Sequence, residues 1–296
     1  MTGETPVPPV VAQIKSHASD DYVAHRLFLQ NVYTRPVAPI LEVSHLVKRY
    51  GERTVVNDVS FFVDSNEIVG LLGRNGAGKT TTFRMTIGMI DVDAGRIVFN
   101  SRDVTRLPMY RRARRGMGYL SQEPSVFRRL SVEDNLMAIL ETRPMRRKAR
   151  RARCQELLEQ YGLTHVRKDH ARTCSGGERR KLEIARALVT NPRLLLLDEP
   201  FSGVDPLAVE DLQREIHKLK EIGIAVLITD HNVQQTLAVC DRAYVIDEGK
   251  VLRQGTPKEL INDDLVRRTY LGSLFKGDEF DHHRASAGAS TPQPIS

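Results

Sequence analysis

Cysteine is scarce: Cys154, Cys174 and Cys240 are the three in 296 residues. An odd number without metal-ligand spacing argues against a disulfide framework and fits a reducing cytosol. Long apolar runs are lacking too. The longest, at 194–197, has the length of a buried strand, far short of the ~18–20 residues that cross a bilayer. The first thirty residues show no basic start followed by an apolar stretch, so no secretory signal is expected. Any membrane role must then come through a partner. No repeat of 20–50 residues is present, which excludes a solenoid.

What is present suits a globular chain, with 41% apolar and 27% charged residues. Forty-four Lys/Arg against 37 Asp/Glu leave a net charge of +7, concentrated in mid-chain. Seven cations and no acid fall within 143–153, and a second cluster lies at 111–115. Such runs suit nucleic acid, an anionic membrane surface or a solvated helix face. The last is preferred, because the basic positions fall on all sides of a helical wheel. Residues 1–40, with five prolines and little periodicity, read as a disordered extension, and 276–296 as a disordered tail. The folded unit is expected over 41–275.

Within it, 41–49 and 54–63 alternate as strands, and 68–72 is a short apolar strand running into glycines. Further strands are predicted at 96–99, 117–120, 194–197, 224–229 and 242–246. Helices are predicted over 176–190, 206–221 and 233–239, and a helical pattern over 131–161 starts at Ser131 with Asp134 three residues on. Alternating βα elements imply a parallel sheet covered by helices, with the insert at 131–175 as a separate lobe.

Gly73-Arg74-Asn75-Gly76-Ala77-Gly78-Lys79-Thr80 is a phosphate loop between an apolar strand and a helix. Its glycines let amides turn inward around a phosphate, the helix N-terminus adds positive potential, and Lys79 adds charge. The Thr80 hydroxyl can ligate Mg²⁺. Asp198 and Glu199 end an apolar strand 119 residues beyond Lys79. Strand alternation is expected to point them apart, Asp198 toward the metal and Glu199 toward an attacking water. Ser175-Gly176-Gly177-Glu178, ahead of a helix beginning near Arg179, makes a second anion cradle. One chain needs only one cradle for its own nucleotide, so this one suits the γ-phosphate held by a second copy.

The ordered set resembles the ATP-binding subunits of ABC transporters. The resemblance implies an α/β P-loop NTPase fold: a RecA-like core, an antiparallel β subdomain and a helical subdomain at about 123–175. It further implies that Tyr50 stacks on adenine with Val55 beside the ribose, and that Thr81 joins residues 73–80 in holding ATP. Gln122 would meet Mg²⁺ and the attacking water, Asp205 would lie in the loop linking the two sites of a dimer, and His231 would hold the γ-phosphate and orient Glu199. Cys174 departs from the leucine usual there. Packing is expected to change more than chemistry, with a thiol open to alkylation.

Longer stretches at 73–90, 114–140, 200–206, 228–245 and 255–272 resemble the ATPases of lipopolysaccharide export, the LptB family. Ser121 stands where that family usually has proline. The resemblance implies a head-to-tail homodimer on the cytoplasmic face of the inner membrane, held there by LptF/LptG-type membrane subunits. Their coupling helices would enter a groove at Ser125, Val126, Phe127, Arg128 and Arg129. A branched-chain amino-acid importer ATPase is the nearer alternative. A soluble cassette acting on nucleic acid or ribosomes is the more distant one, and no nucleic-acid partner is expected.

Overall fold

The structure, a computed structural model, describes residues 38–271. The tail at 276–296, and all but the last three residues of the extension at 1–40, lie outside the described residues. The chain divides between Ala38 and Pro39, and the second unit carries every described strand and helix.

Strands β1 (Leu41–Tyr50) and β2 (Arg53–Val63) form a hairpin, and β3 (Ile68–Gly73) leads into helix α1 (Lys79–Ile87). Next come β4 (Ala94–Phe99), β5 (Arg102–Asp103), α2 (Met109–Arg114) and β6 (Met117–Leu120). Helices α3 (Val132–Leu140), α4 (Arg147–Gln160) and α5 (Gly176–Leu188) follow without an intervening strand. The chain then alternates through β7 (Leu194–Asp198), α6 (Pro206–Glu221), β8 (Ala225–Thr229), α7 (Val233–Val239) and β9 (Arg242–Asp247), ending in β10 (Lys250–Gly255) and α8 (Pro257–Asn262) before short helical turns.

Two sheets result. One is four-stranded and antiparallel, in the order β2-β1-β4-β5; the other has the order β10-β9-β3-β8-β7-β6 and is parallel except at β10. Strands β3, β7 and β8 are buried along their whole length, as expected for parallel strands covered on both faces. Their side chains divide by parity. Leu195, Leu197, Val226 and Ile228 pack in one core with residues of α3, α4, α5 and α6, whereas Leu194, Leu196, Ala225 and Leu227 pack in another with α1 and the antiparallel sheet. Arg242 ties the two sheets together: it pairs with Glu67 at 2.6 Å, donates to the Phe62 carbonyl at 2.7 Å and lies 3.9 Å above the Phe62 ring.

The helical stretch expected over 131–161 is two helices. Ser131 does cap the first, accepting from the Asp134 amide at 3.0 Å. The break at 141–146 contains Pro144, which has no amide hydrogen and disfavours the helical conformation for Arg143. In the basic run, Arg146, Arg147, Lys148 and Arg151 are exposed, while Arg150 and Arg153 turn partly inward beside the buried Cys154.

The cluster at 111–115 is not a uniform solvated face. Arg112 is buried, and its guanidinium donates to the carbonyls of Leu107, Met85, Thr86 and Thr105 at 2.7–2.9 Å. Two of these carbonyls belong to the last turn of α1, where intrahelical donors run out, although that of Met85 also accepts from the Gly88 amide at 3.1 Å. Burial brings the Arg112 pKa down to about 10. Arg112→Met is expected to lower stability by about 3 kcal/mol, since it strands buried acceptors while keeping the volume. Urea unfolding checks this, and an unchanged midpoint would contradict the capping role.

Candidate functional site

The loop between β3 and α1 has a shape that its own glycines require. Gly73 has φ 149° and Gly78 φ 102°, and a Cβ on either would lie within 2.7 Å of a backbone oxygen, that of Ile246 or Val55. Gly249, at the β9–β10 turn, fastens the loop to β2: its amide donates to Ala77 at 2.9 Å and its carbonyl accepts from Asn57 at 2.8 Å. The Val55 carbonyl is thereby held against the loop. Tyr50 lies at the adjoining hairpin turn, half exposed and opposite Arg53.

Lys79 opens α1, is 7% exposed, and donates from Nζ to the Gly73 carbonyl at 2.5 Å and the Arg74 carbonyl at 2.9 Å. Burial pulls its pKa below the usual lysine range, and the charges of Glu199 and Asp230 oppose that pull. Arg74, Asn75 and Gly76 are exposed, Ala77 is buried, and Thr80 and Thr81 are partly exposed at the start of the helix.

The acidic pair sits at the end of β7. Asp198 is buried and accepts a hydrogen bond from the Tyr119 hydroxyl at 3.1 Å. Burial raises its pKa above the carboxylate range, and that hydrogen bond works the other way. The two carboxylates do diverge, though not by strand alternation. The strand stops at Asp198, and Glu199 adopts a left-handed φ of 46°, which costs on the order of 1–3 kcal/mol in a non-glycine residue. Its amide is fixed on the Thr229 carbonyl at 2.7 Å. The Glu199 side chain meets Gln122 Nε2 at 2.9 Å and His231 Nδ1 at 3.3 Å, all through Oε2. Gln122, Glu199 and His231 are thus one cluster beside the loop that holds Lys79.

The Ser175–Glu178 segment approaches that cluster from another side. It shares a cleft of about 540 Å³ with Gln122, Glu199, Asp205 and the start of α6, and no residue of 73–80 lines that cleft. Helix α5 begins at Gly176, as the expected 176–190 helix does and three residues ahead of Arg179, under a capping box in which Ser175 and Glu178 satisfy each other's amides. The Ser175 amide, and next its hydroxyl, hold the Glu178 carboxyl below its ordinary pKa. A Cβ on Gly176 or Gly177 would meet nothing within 4 Å, and neither has a positive φ. Neither packing within the chain nor backbone conformation therefore requires glycine at these two positions. Their smallness leaves room for something outside the chain.

Cys174, beside this turn, is 6% exposed, and burial raises its pKa. Both features work against the expected alkylation sensitivity, since burial and a raised pKa lower a thiol's reactivity.

Of the groove residues, Ser125, Phe127, Arg128 and Arg129 are exposed, but Val126 is 7% exposed and belongs to the core. The loop is held by residues that sequence reasoning missed. Asn135, buried on α3, brackets Phe127 with bonds to its amide (2.8 Å) and carbonyl (3.0 Å). From α5, Glu183 accepts from the Ser125 amide at 2.9 Å, and the Arg186 guanidinium lies 4.6 Å from the Phe127 ring. A buried Asn on an otherwise apolar helix face was the available signal for the first; none marked the other two.

Oxygen donors suit a hard divalent ion: the Thr80 hydroxyl, the Asp198 carboxylate and the Gln122 amide oxygen. Among the described residues no three His, Cys, Asp or Glu gather as a metal cluster. An ion here would draw most of its shell from phosphate oxygens and water, as Mg²⁺ does.

A glycine loop ending in Lys79, an acidic strand end that meets a glutamine and a histidine, and a capped Ser-Gly-Gly-Glu helix start occur in the order of an ATP-binding cassette. The family described as ABC transporter matches residues 56–202. The chain belongs to this family of ATP-binding transporter subunits. Within it, the chain is similar to the lipopolysaccharide export system ATP-binding protein LptB. It is 53% identical to LptB of Haemophilus influenzae over 238 residues, covering 80% of this chain and 99% of that protein. LptB of Escherichia coli K12 is 53% identical over 80% of this chain and 98% of its own length. Among solved structures, the ADP conformation of an ATP-binding cassette of an ABC transporter superposes with a TM-score of 0.72 at 28% identity, over 80% of this chain and 100% of that one. Among the described residues no helix is long and apolar enough to cross a membrane.

Proposed function

We propose that this chain is the ATP-hydrolysing subunit of a lipopolysaccharide exporter, working as a head-to-tail pair of copies under LptF/LptG-type membrane subunits on the cytoplasmic face of the inner membrane. Each copy holds ATP on residues 73–81, with Tyr50 and Val55 at the nucleoside end. Lys79 neutralises the β/γ oxygens. Thr80, Asp198 and Gln122 hold Mg²⁺, which when bound offsets phosphate charge. Glu199 takes a proton from the attacking water while His231 keeps its carboxylate in place. Ser175, Gly176 and Gly177 of the other copy close over the γ-phosphate with helix-N-terminal amides, and Asp205 lies in the loop between the two sites. Residues 123–175 act as a helical subdomain that moves with the groove.

The observation that supports the paired arrangement is the open space at Gly176 and Gly177, which face a cleft that includes Glu199 but no residue of 73–80. The export assignment is supported by the identity of 53% along nearly the whole length of the LptB relatives.

In the groove, Phe127 is 47% exposed yet clamped by Asn135 and Arg186. A rigid exposed aromatic with a cationic rim suits an amphipathic coupling helix. Tagged chain isolated from detergent-solubilised membranes is expected to carry exporter-type membrane subunits. Phe127→Ala should lower that co-isolation about 10-fold or more and leave basal ATPase intact. Recovery of importer-type membrane subunits, or of none, would overturn the export reading.

A further inference from the structure

The Asp198 carboxylate has two oxygens, and one is already occupied. Its Oδ2 accepts the Tyr119 hydroxyl at 3.1 Å. Tyr119 belongs to β6, the strand paired with β7, and stands opposite Leu196 in the parallel register. Its ring packs on Phe83 of α1 with centroids 6.3 Å apart. Phe83 lies one turn beyond Lys79 and Thr80, so the ring is wedged between the helix that carries Thr80 and the strand that ends in Asp198. Three residues further along the same chain comes Gln122. One side chain thus touches two of the elements that bring oxygen donors to the opening and leads directly to the third.

Anchoring one oxygen restricts the rotation of a buried carboxylate and so limits where its other oxygen can point. Groups that hydrogen-bond to a metal-binding carboxylate commonly change metal affinity about 10–100-fold when removed. We propose that Tyr119 is a positioning residue for the divalent ion of the nucleotide site, acting by orienting Asp198. The proposal rests on the reading of Thr80, Asp198 and Gln122 as the ion's holders, and it adds a residue that does not itself touch metal or nucleotide.

Tyr119→Phe tests it, since the ring contact with Phe83 is kept and only the hydroxyl is lost. Mn²⁺ serves as the probe, its binding read by electron paramagnetic resonance on the full chain with a non-hydrolysable ATP analogue. A fluorescent nucleotide titrated in excess EDTA measures the nucleotide without the ion. Tyr119→Phe is expected to bind Mn²⁺ about 10-fold more weakly with unchanged metal-free nucleotide affinity and an unchanged melting curve. Equal Mn²⁺ affinity in the two proteins would overturn the role of Tyr119. So would an equal loss of metal-free nucleotide affinity, which would make the residue merely structural. If the wild-type chain itself bound no Mn²⁺ with the analogue, the metal-site reading would fall first.

Discussion

Glu199→Gln is expected to keep ATP and lose about 10²–10⁴-fold in turnover. The exchange removes the basic oxygen and almost nothing else. The side chain keeps its length, the backbone keeps its φ of 46° under the Thr229 carbonyl, and the neighbours Gln122 and His231 remain in reach. Lys79 meets a less negative site, which favours retention of the nucleotide's own charge. ATP should therefore remain bound, and the paired, closed form should accumulate because it cannot reopen by hydrolysis. Steady-state phosphate release gives the first number and fluorescent ATP binding the second. Turnover within twofold of wild type would remove Glu199 from the role of general base.

Lys79→Ala is expected to act one step earlier, on binding. The Lys79 ammonium sits at the loop opening with two carbonyls as partners, and burial has already stripped it of most of its water. A cation in that state gains more from an arriving phosphate than a solvated one does. Losing its charge-assisted bonds to phosphate, worth roughly 1.5–3 kcal/mol each, should weaken ATP binding on the order of 10–100-fold. The loop itself should persist, because its turns are set by Gly73 and Gly78 and by the Gly249 bridge. Equilibrium titration with a fluorescent ATP analogue decides it; undiminished affinity would mean that the nucleotide sits elsewhere.

Much of this was legible in the sequence, for identifiable reasons. The strands at Met117–Leu120 and Leu194–Asp198 are short apolar runs between turn residues, and β7 is one residue longer than expected. Helices α6 and α7 have the bounds that periodicity implied. The loop at 73–80 could be read because its chemistry is contiguous. What escaped was chemistry between distant segments. Arg112 looked like one of several surface cations, and only the packing of α2 against the end of α1 turns it inward. Tyr119 looked like an ordinary strand residue until β6 paired with β7. The divergence of Asp198 and Glu199 was foreseen, but its cause was not: alternation needs a continuing strand, and this strand stops. The resemblance implies Val126 in the groove with its sequence neighbours, but residues flanking an exposed loop position commonly face the core, as Val126 does. Strand β10 and helix α8 went unassigned, since a partly exposed edge strand carries a weak apolar pattern.

In the proposed pair, one working site needs the loop of one copy and the glycine turn of the other. Lys79→Ala damages the first and leaves the second whole. Gly177→Asp does the reverse, and because a Cβ at Gly177 meets nothing within 4 Å in its own chain, that variant should fold normally. Each protein alone should be inactive. Mixed, they should form hybrid pairs containing one complete site, so ATPase activity should appear that neither preparation has by itself. A mixture as inactive as its parts, from two folded proteins shown to associate, would contradict the shared site.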